Sequence, residues 1–227
     1  MQGAAVSTAD SRSRMIAAAE LLLGAAVVLG HNVWHLLPNE VPILVVAGLL
    51  SMRLHCGRWD FSRLGFRRPG SWLRIVLLAL AAAAIRIVLG DLIIEPAAEH
   101  FWPPAKAPAG TGEITGSLRL LLLYLPLIWG FAAFGEEISY RGYLMGRAAQ
   151  AFGGTRAAWW AAILVSATLF GFGHYYKGPA GIIDSGFAGL VLGAAYLWSG
   201  RNLWVTILAH GFIDTFALVA VYLGLSD

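Results

Sequence analysis

Six residues in this chain carry acid–base chemistry into surroundings that supply little water. Glu136 and Glu137 stand side by side, and Arg141 follows four residues after the second. His174 closes the apolar run Phe170-Gly171-Phe172-Gly173-His174, while His210 and Asp214 lie four apart inside another. An ionisable group at membrane depth costs about 2.5–3.5 kcal/mol on insertion scales, so each needs a partner and usually a task. On a helix, Glu137 and Arg141 share a face in the favourable acid-before-base order. Glu136 projects about 100° away from Glu137, because a turn takes 3.6 residues. One carboxylate can thus be tied to Arg141 while the other faces a cavity. Taken alone, the Glu-Glu-Arg stretch is equally well a buried ion pair that locks helix packing.

Glu136, His174, His210 and Asp214 fall on three separate helices and, if they converge, form one buried polar site. A glutamate and a histidine sharing a water can deprotonate it, and the hydroxide then attacks a carbonyl. A second histidine with a neighbouring hydrogen-bonding group can hold the oxyanion. Metal chemistry is the alternative, with Glu136, His174, His210 and Asp214 ligating a divalent ion. No His-Glu-x-x-His helix is present, and no Gly-x-Ser-x-Gly either. The single cysteine, Cys56, lies beside a basic loop and reads as an inert thiol. It leaves no internal disulfide and no cysteine-based metal cage.

The elements that must position these groups are membrane helices. Of 227 residues, 58% are hydrophobic and only 13% are charged, against about 25% charged in a soluble domain. Several apolar runs approach the 20 residues or so that cross a bilayer. The predicted fold is all-α: one polytopic helical bundle over residues 1–227, with about seven to eight transmembrane helices. The net charge of +3 sits in short loops between spans, a positive-inside pattern that argues against nucleic acid.

The chain opens with a small, polar stretch carrying Arg12 and Arg14 ahead of a run from Met15 to Leu37. That run exceeds a signal-peptide core and is read as a retained helix. Glu20 is expected at the interface in a solvated role, and His31 and His35 flank a turn at Pro38-Asn39-Glu40. A shorter segment, Val41 to Met52, precedes a loop with Arg53, Arg58, Arg63, Arg67, Arg68 and Arg74 interleaved with Trp59, Phe61, Phe66 and Trp72. This loop is expected in the cytoplasmic headgroup layer, against anionic lipid. A third helix spans Ser71 to Ile94, with Arg86 free to snorkel or to meet Asp91 or Glu95. The stretch from Glu95 to Ser117, with Pro96, Pro103, Pro104, Pro108 and Lys106, is expected as the longest irregular segment, a lid or access rim on the opposite side. Leu118 to about Gln150 is too long for one simple span, and Pro126 offers a break or a kink in it. Further spans are expected over Ala157–His174, Ile182–Trp198 and Leu203–Leu225, brought close by glycines such as Gly171, Gly186, Gly189 and Gly193. Residues 15–94 then form N-terminal helices and 118–225 a motif-bearing core.

Glu136-Glu137-x-x-x-Arg141, Phe170-x-x-x-His174 and His210-x-x-x-Asp214 together resemble the three motifs of the CPBP family, the CAAX proteases and bacteriocin-processing enzymes. Each motif alone is weak; three in this order on apolar helices are specific. The resemblance covers about Leu118 to Leu225 and implies an intramembrane protease of glutamic type, needing no metal. It further implies Glu136 as the base on water, assisted by His174, with His210 and Asp214 on the oxyanion side and Glu137 and Arg141 in support. The family's CAAX endopeptidases carry asparagine where this chain has Asp214. An aspartate donates no hydrogen bond unless protonated, so Asp214 is expected to orient His210 instead. The expected partners are a membrane-associated protein or peptide substrate and membrane lipid, and the expected place is the bacterial inner membrane. The competing readings are a non-catalytic immunity or scaffold protein of the same fold and a proton-coupled transporter.

Overall fold

The computed structural model describes residues 8–103 and 111–225. They fold into a bundle of seven main helices, which we label α1 (Thr8–Asn32), α2 (Glu40–Cys56), α3 (Trp72–Phe101), α4 (Leu118–Ala151), α5 (Arg156–Phe172), α6 (Gly178–Trp198) and α7 (Leu203–Tyr222). Short helical turns at Phe61–Leu64, Thr111–Ile114 and Tyr175–Lys177 join them. Among the described residues five helices are long and apolar enough to cross a bilayer, and α2 and α5 are shorter. The protein is an integral membrane helical bundle.

Side-chain caps fix where the helices begin. Asn39, Ser71, Ser117, Thr155 and Asn202 each accept a hydrogen bond from a backbone N–H of the following first turn, satisfying donors that otherwise lack partners. Two expectations fail at prolines. Pro126 does not split α4, which continues through two π-helical segments, Ile128–Glu136 and Ile138–Leu144. The i→i+5 pattern absorbs the missing proline N–H without ending the helix. Likewise Pro96 does not start a loop. It sits in the first turn of Glu95–Phe101, where its N–H is not needed, and α3 carries on to Phe101 through the π turn Gly90–Ile94. The expected lid is therefore mostly helical on either side of residues 104–110; Pro104, Lys106 and Pro108 lie outside the described residues.

Close helix contact follows the glycines. A Cβ on Gly171 would come within 2.6 Å of the Ile182 carbonyl oxygen, and one on Gly189 within 2.8 Å of the Ala167 Cα. Those two positions let α5 and α6 meet backbone to backbone.

Polar side chains tie the outer helices to this core. Glu20 is not solvated: it accepts hydrogen bonds from Ser51 (2.7 Å) and His55 (2.7 Å) of α2 and faces Arg147 of α4 at 3.6 Å. Ser51 and His55 are four apart, so α2 presents both donors on the face toward α1. Arg86 pairs with Asp91 at 3.1 Å and, beyond what its own helix offers, with Asp184 of α6 at 2.5 Å.

The two ends of α7 give the bundle its sidedness. At its start, the Leu203 N–H donates to the Gly65 carbonyl and Asn202 donates to the Arg67 carbonyl. At its finish, Gly116 N–H and the Thr115 hydroxyl donate to the carbonyls of Tyr222 and Val221. The arginine-rich loop and the Thr111–Ser117 segment therefore lie at opposite ends of one spanning helix. On a Cys56→Ser background, Gly70→Cys is expected to react with an impermeant thiol reagent only from the cytoplasmic side, and Glu113→Cys only from the other. Labelling of both from one side would break this topology.

Candidate active site

Helix α4 supplies the acid pair in its π-helical part, where Glu136 ends one wide segment and Ile138 begins the next. Widened turns leave carbonyls without their usual partners. Ser139 answers by donating to Gly135 O (2.9 Å), and Ser166 of α5 by donating to Tyr140 O (3.0 Å). The wide turn is thus held by hydroxyls from its own helix and its neighbour.

Glu137 is fully buried and committed. Its Oε1 accepts from Arg141 Nη1 at 2.7 Å and from His210 Nδ1 at 2.8 Å, while its Oε2 is buried without a hydrogen-bond partner among the described residues. Arg141, 1% exposed, further donates to Gly189 O at 3.4 Å and stacks its guanidinium 4.4 Å from the Phe170 ring centre. Such a charge is tolerable at this depth because a carboxylate, a carbonyl and a π-face meet it, leaving only Nε without an acceptor among the described residues. The i,i+4 pair read from the sequence is present, and it is shared with a histidine from α7.

His210 is the hub. With Nδ1 donating to Glu137, its Nε2 faces Asp214 Oδ2 at 3.5 Å and Glu136 Oε2 at 4.0 Å. Three carboxylates from two helices therefore surround one imidazole. Thr206, His210 and Asp214 recur every four residues, so a single stripe of α7 faces α4. Glycine next to the histidine makes room: a Cβ on Gly211 would come within 2.5 Å of the Trp129 ring. That tryptophan in turn donates to Thr215 at 3.2 Å.

Glu136 differs sharply from its neighbour. Its side chain is 19% exposed against 0% for Glu137, and it makes no hydrogen bond to any described side chain. His174 is brought to the same place through an aromatic platform. Its ring lies 4.9 Å from that of Phe170, and the His210 ring lies 5.8 Å from the same phenyl group. The Phe170 carbonyl can only accept, so His174 Nδ1, 3.0 Å from it, carries the proton and Nε2 is left as an acceptor. Tyr140 meets Phe170 edge-on at 5.0 Å, and the exposed Tyr176 ring lies 6.1 Å from His174.

All six singled-out residues thus gather around Phe170 and His210. Among the described residues no group of three His, Cys, Asp or Glu is placed to hold a metal ion. Sequence reasoning passed over Phe170 as a platform, although it stands four residues before His174. It also passed over Thr206, which extends the same four-residue stripe. Glu40 was read as part of a turn. It is instead buried at 6% exposure, pairs with His31 at 3.4 Å and accepts from the Tyr140 hydroxyl at 3.4 Å. Nothing in its local sequence distinguishes it from a surface glutamate at a helix start.

Residues 118–216 match the model of the family described as type II CAAX prenyl endopeptidase, Rce1-like. No curated protein and no solved structure matches the chain.

Proposed function

We propose that this chain, whose residues 118–216 match the Rce1-like CAAX endopeptidase model, hydrolyses a peptide bond of a membrane-associated protein with Glu136 as the general base. The observation that carries this reading is the asymmetry of the acid pair. Glu137 commits one oxygen to both Arg141 and His210, whereas Glu136 makes no hydrogen bond to any described side chain and stands beside the same imidazole.

In this mechanism a water lies between Glu136 and the acceptor nitrogen of His174. Glu136 takes its proton, and the oxygen attacks the scissile carbonyl. His210, fixed by its Nδ1–H bond to Glu137, turns Nε2 toward the developing oxyanion and donates to it when that nitrogen is protonated. Asp214, 3.5 Å from the same nitrogen, holds the ring and its charge; it need not donate itself. When the tetrahedral intermediate collapses, the C–N bond breaks and Glu136 passes the water's proton to the leaving amine.

The test is to map new protein termini in membranes carrying the wild-type chain and in membranes carrying Glu136→Gln at equal abundance. Termini that appear only with the wild type identify the substrate. Identical termini in the two membranes would leave a non-catalytic protein of this fold.

A further inference from the structure

Away from the acid pair, a cavity of 230 Å³ opens at the arginine-rich end of the bundle between α1, α2, the Phe61–Leu64 turn and the last turns of α4. Ser13, Ser51, His55, Arg63, Arg147 and Gln150 line it, and no acidic side chain does so among the described residues. The nearest carboxylate, Glu20, has both oxygens engaged, one by Ser51 and the other by His55. Arg147 Nη1 lies 3.6 Å from Glu20, beyond hydrogen-bond length, and is buried without an acceptor. The Gln150 amide donates to Ser13 at 2.6 Å, so the donors left to an occupant are chiefly those of the Arg63 and Arg147 guanidinium groups.

The mouth sits among residues suited to the membrane surface. Trp59 and Phe61, in the same loop as Arg63, are 57% and 49% exposed, as interfacial aromatics are. Its inner wall is the motif helix. Gly142 and Tyr143 line the cavity directly after Arg141, and a Cβ on Gly142 would come within 2.9 Å of the Leu64 carbonyl oxygen. An occupant would therefore touch both the arginine-rich loop and the helix bearing Glu136 and Glu137.

We propose that this cavity binds a phosphate-type anion between Arg63 and Arg147. Guanidinium groups suit such an anion because their paired N–H donors match two of its oxygens. The headgroup of an anionic phospholipid and a free phosphate share that chemistry. Binding to the folded chain alone stabilises it by mass action, which also firms the contact between the loop and α4.

The test is a thermal-unfolding titration of the purified full chain in neutral detergent at constant ionic strength. The additives are phosphatidylglycerol, phosphatidylcholine of the same acyl chains, and inorganic phosphate. A saturable rise in Tm with phosphatidylglycerol alone identifies a lipid headgroup; a rise with inorganic phosphate identifies a site open to free anion. In Arg63→Gln, at the exposed mouth, half-saturation is expected to move by about tenfold or more, the effect of losing one hydrogen bond to a charged group. Arg58→Gln, whose arginine is exposed and pairs with Asp60 outside the cavity, is expected to titrate like the wild type. Arg147→Gln is expected to follow Arg63→Gln, and where it fails to fold Arg63→Gln decides. The proposal is overturned by no saturable rise with either phosphate source, by an equal rise with phosphatidylcholine, or by equal losses in Arg58→Gln and Arg63→Gln.

Discussion

Purified Glu136→Gln protein is expected to cleave its substrate about 10²–10⁴-fold more slowly than the wild type, the usual worth of a general base, while unfolding at an unchanged temperature. The amide is isosteric with the carboxylate and cannot accept the water's proton. Stability is spared because Glu136 makes no hydrogen bond to any described side chain and lies 4.0 Å from its nearest cationic neighbour. Cleavage of a mapped substrate in detergent, read beside a melting curve, checks both halves. Normal cleavage by a folded Glu136→Gln protein would remove the base from the proposed mechanism.

The opposite pattern is expected one residue later. Glu137→Gln leaves Arg141, 1% exposed, without its carboxylate at membrane depth. Breaking a buried pair from one side costs about 3–5 kcal/mol, so melting temperature and abundance should fall together with activity. The damage extends beyond the pair, since His210 also loses the acceptor that fixes its ring at 2.8 Å. The double variant Glu137→Gln, Arg141→Gln should regain part of the stability, because no lone charge stays buried, yet remain inactive, because His210 is still unanchored. Differential scanning of the wild type and three variants resolves these terms. A fully stable Glu137→Gln single variant would show that Arg141 finds its support in Gly189 and Phe170 instead.

The two carboxylates were separable in the sequence because helical spacing alone assigns Glu137 to Arg141 and turns Glu136 elsewhere. The four-residue steps from Phe170 to His174 and from His210 to Asp214 were equally local, and helix geometry turned them into shared faces. What spacing cannot convey is how helices meet. That His210 Nδ1 reaches Glu137, or that Arg86 finds Asp184 ninety-eight residues away, depends on the tilt and rotation of separate helices. Glu40 stayed hidden for the same reason: its burial comes from α4 packing across it, through Tyr140, and not from its own neighbours. Prolines misled where their position in the turn mattered more than their presence. Pro96 falls in a first turn, where its N–H has no role, and Pro126 is followed by a wide segment that absorbs the lost bond.

Helix α5 has 17 residues, a length of about 26 Å at 1.5 Å per residue, whereas a bilayer's hydrocarbon layer is about 30 Å thick. It ends at Phe172, two residues before His174, so the histidine sits where this helix falls short of the far surface. Lipids matching so short a wall must thin around it or let headgroups sink inward, at a modest cost for each ångström of mismatch. The thinning is one-sided, since α3 and α4 are far longer. A bilayer around His174 is therefore expected to be drawn toward the reacting groups, which would give water a shorter path to a glutamate in the bundle than an undisturbed bilayer sets.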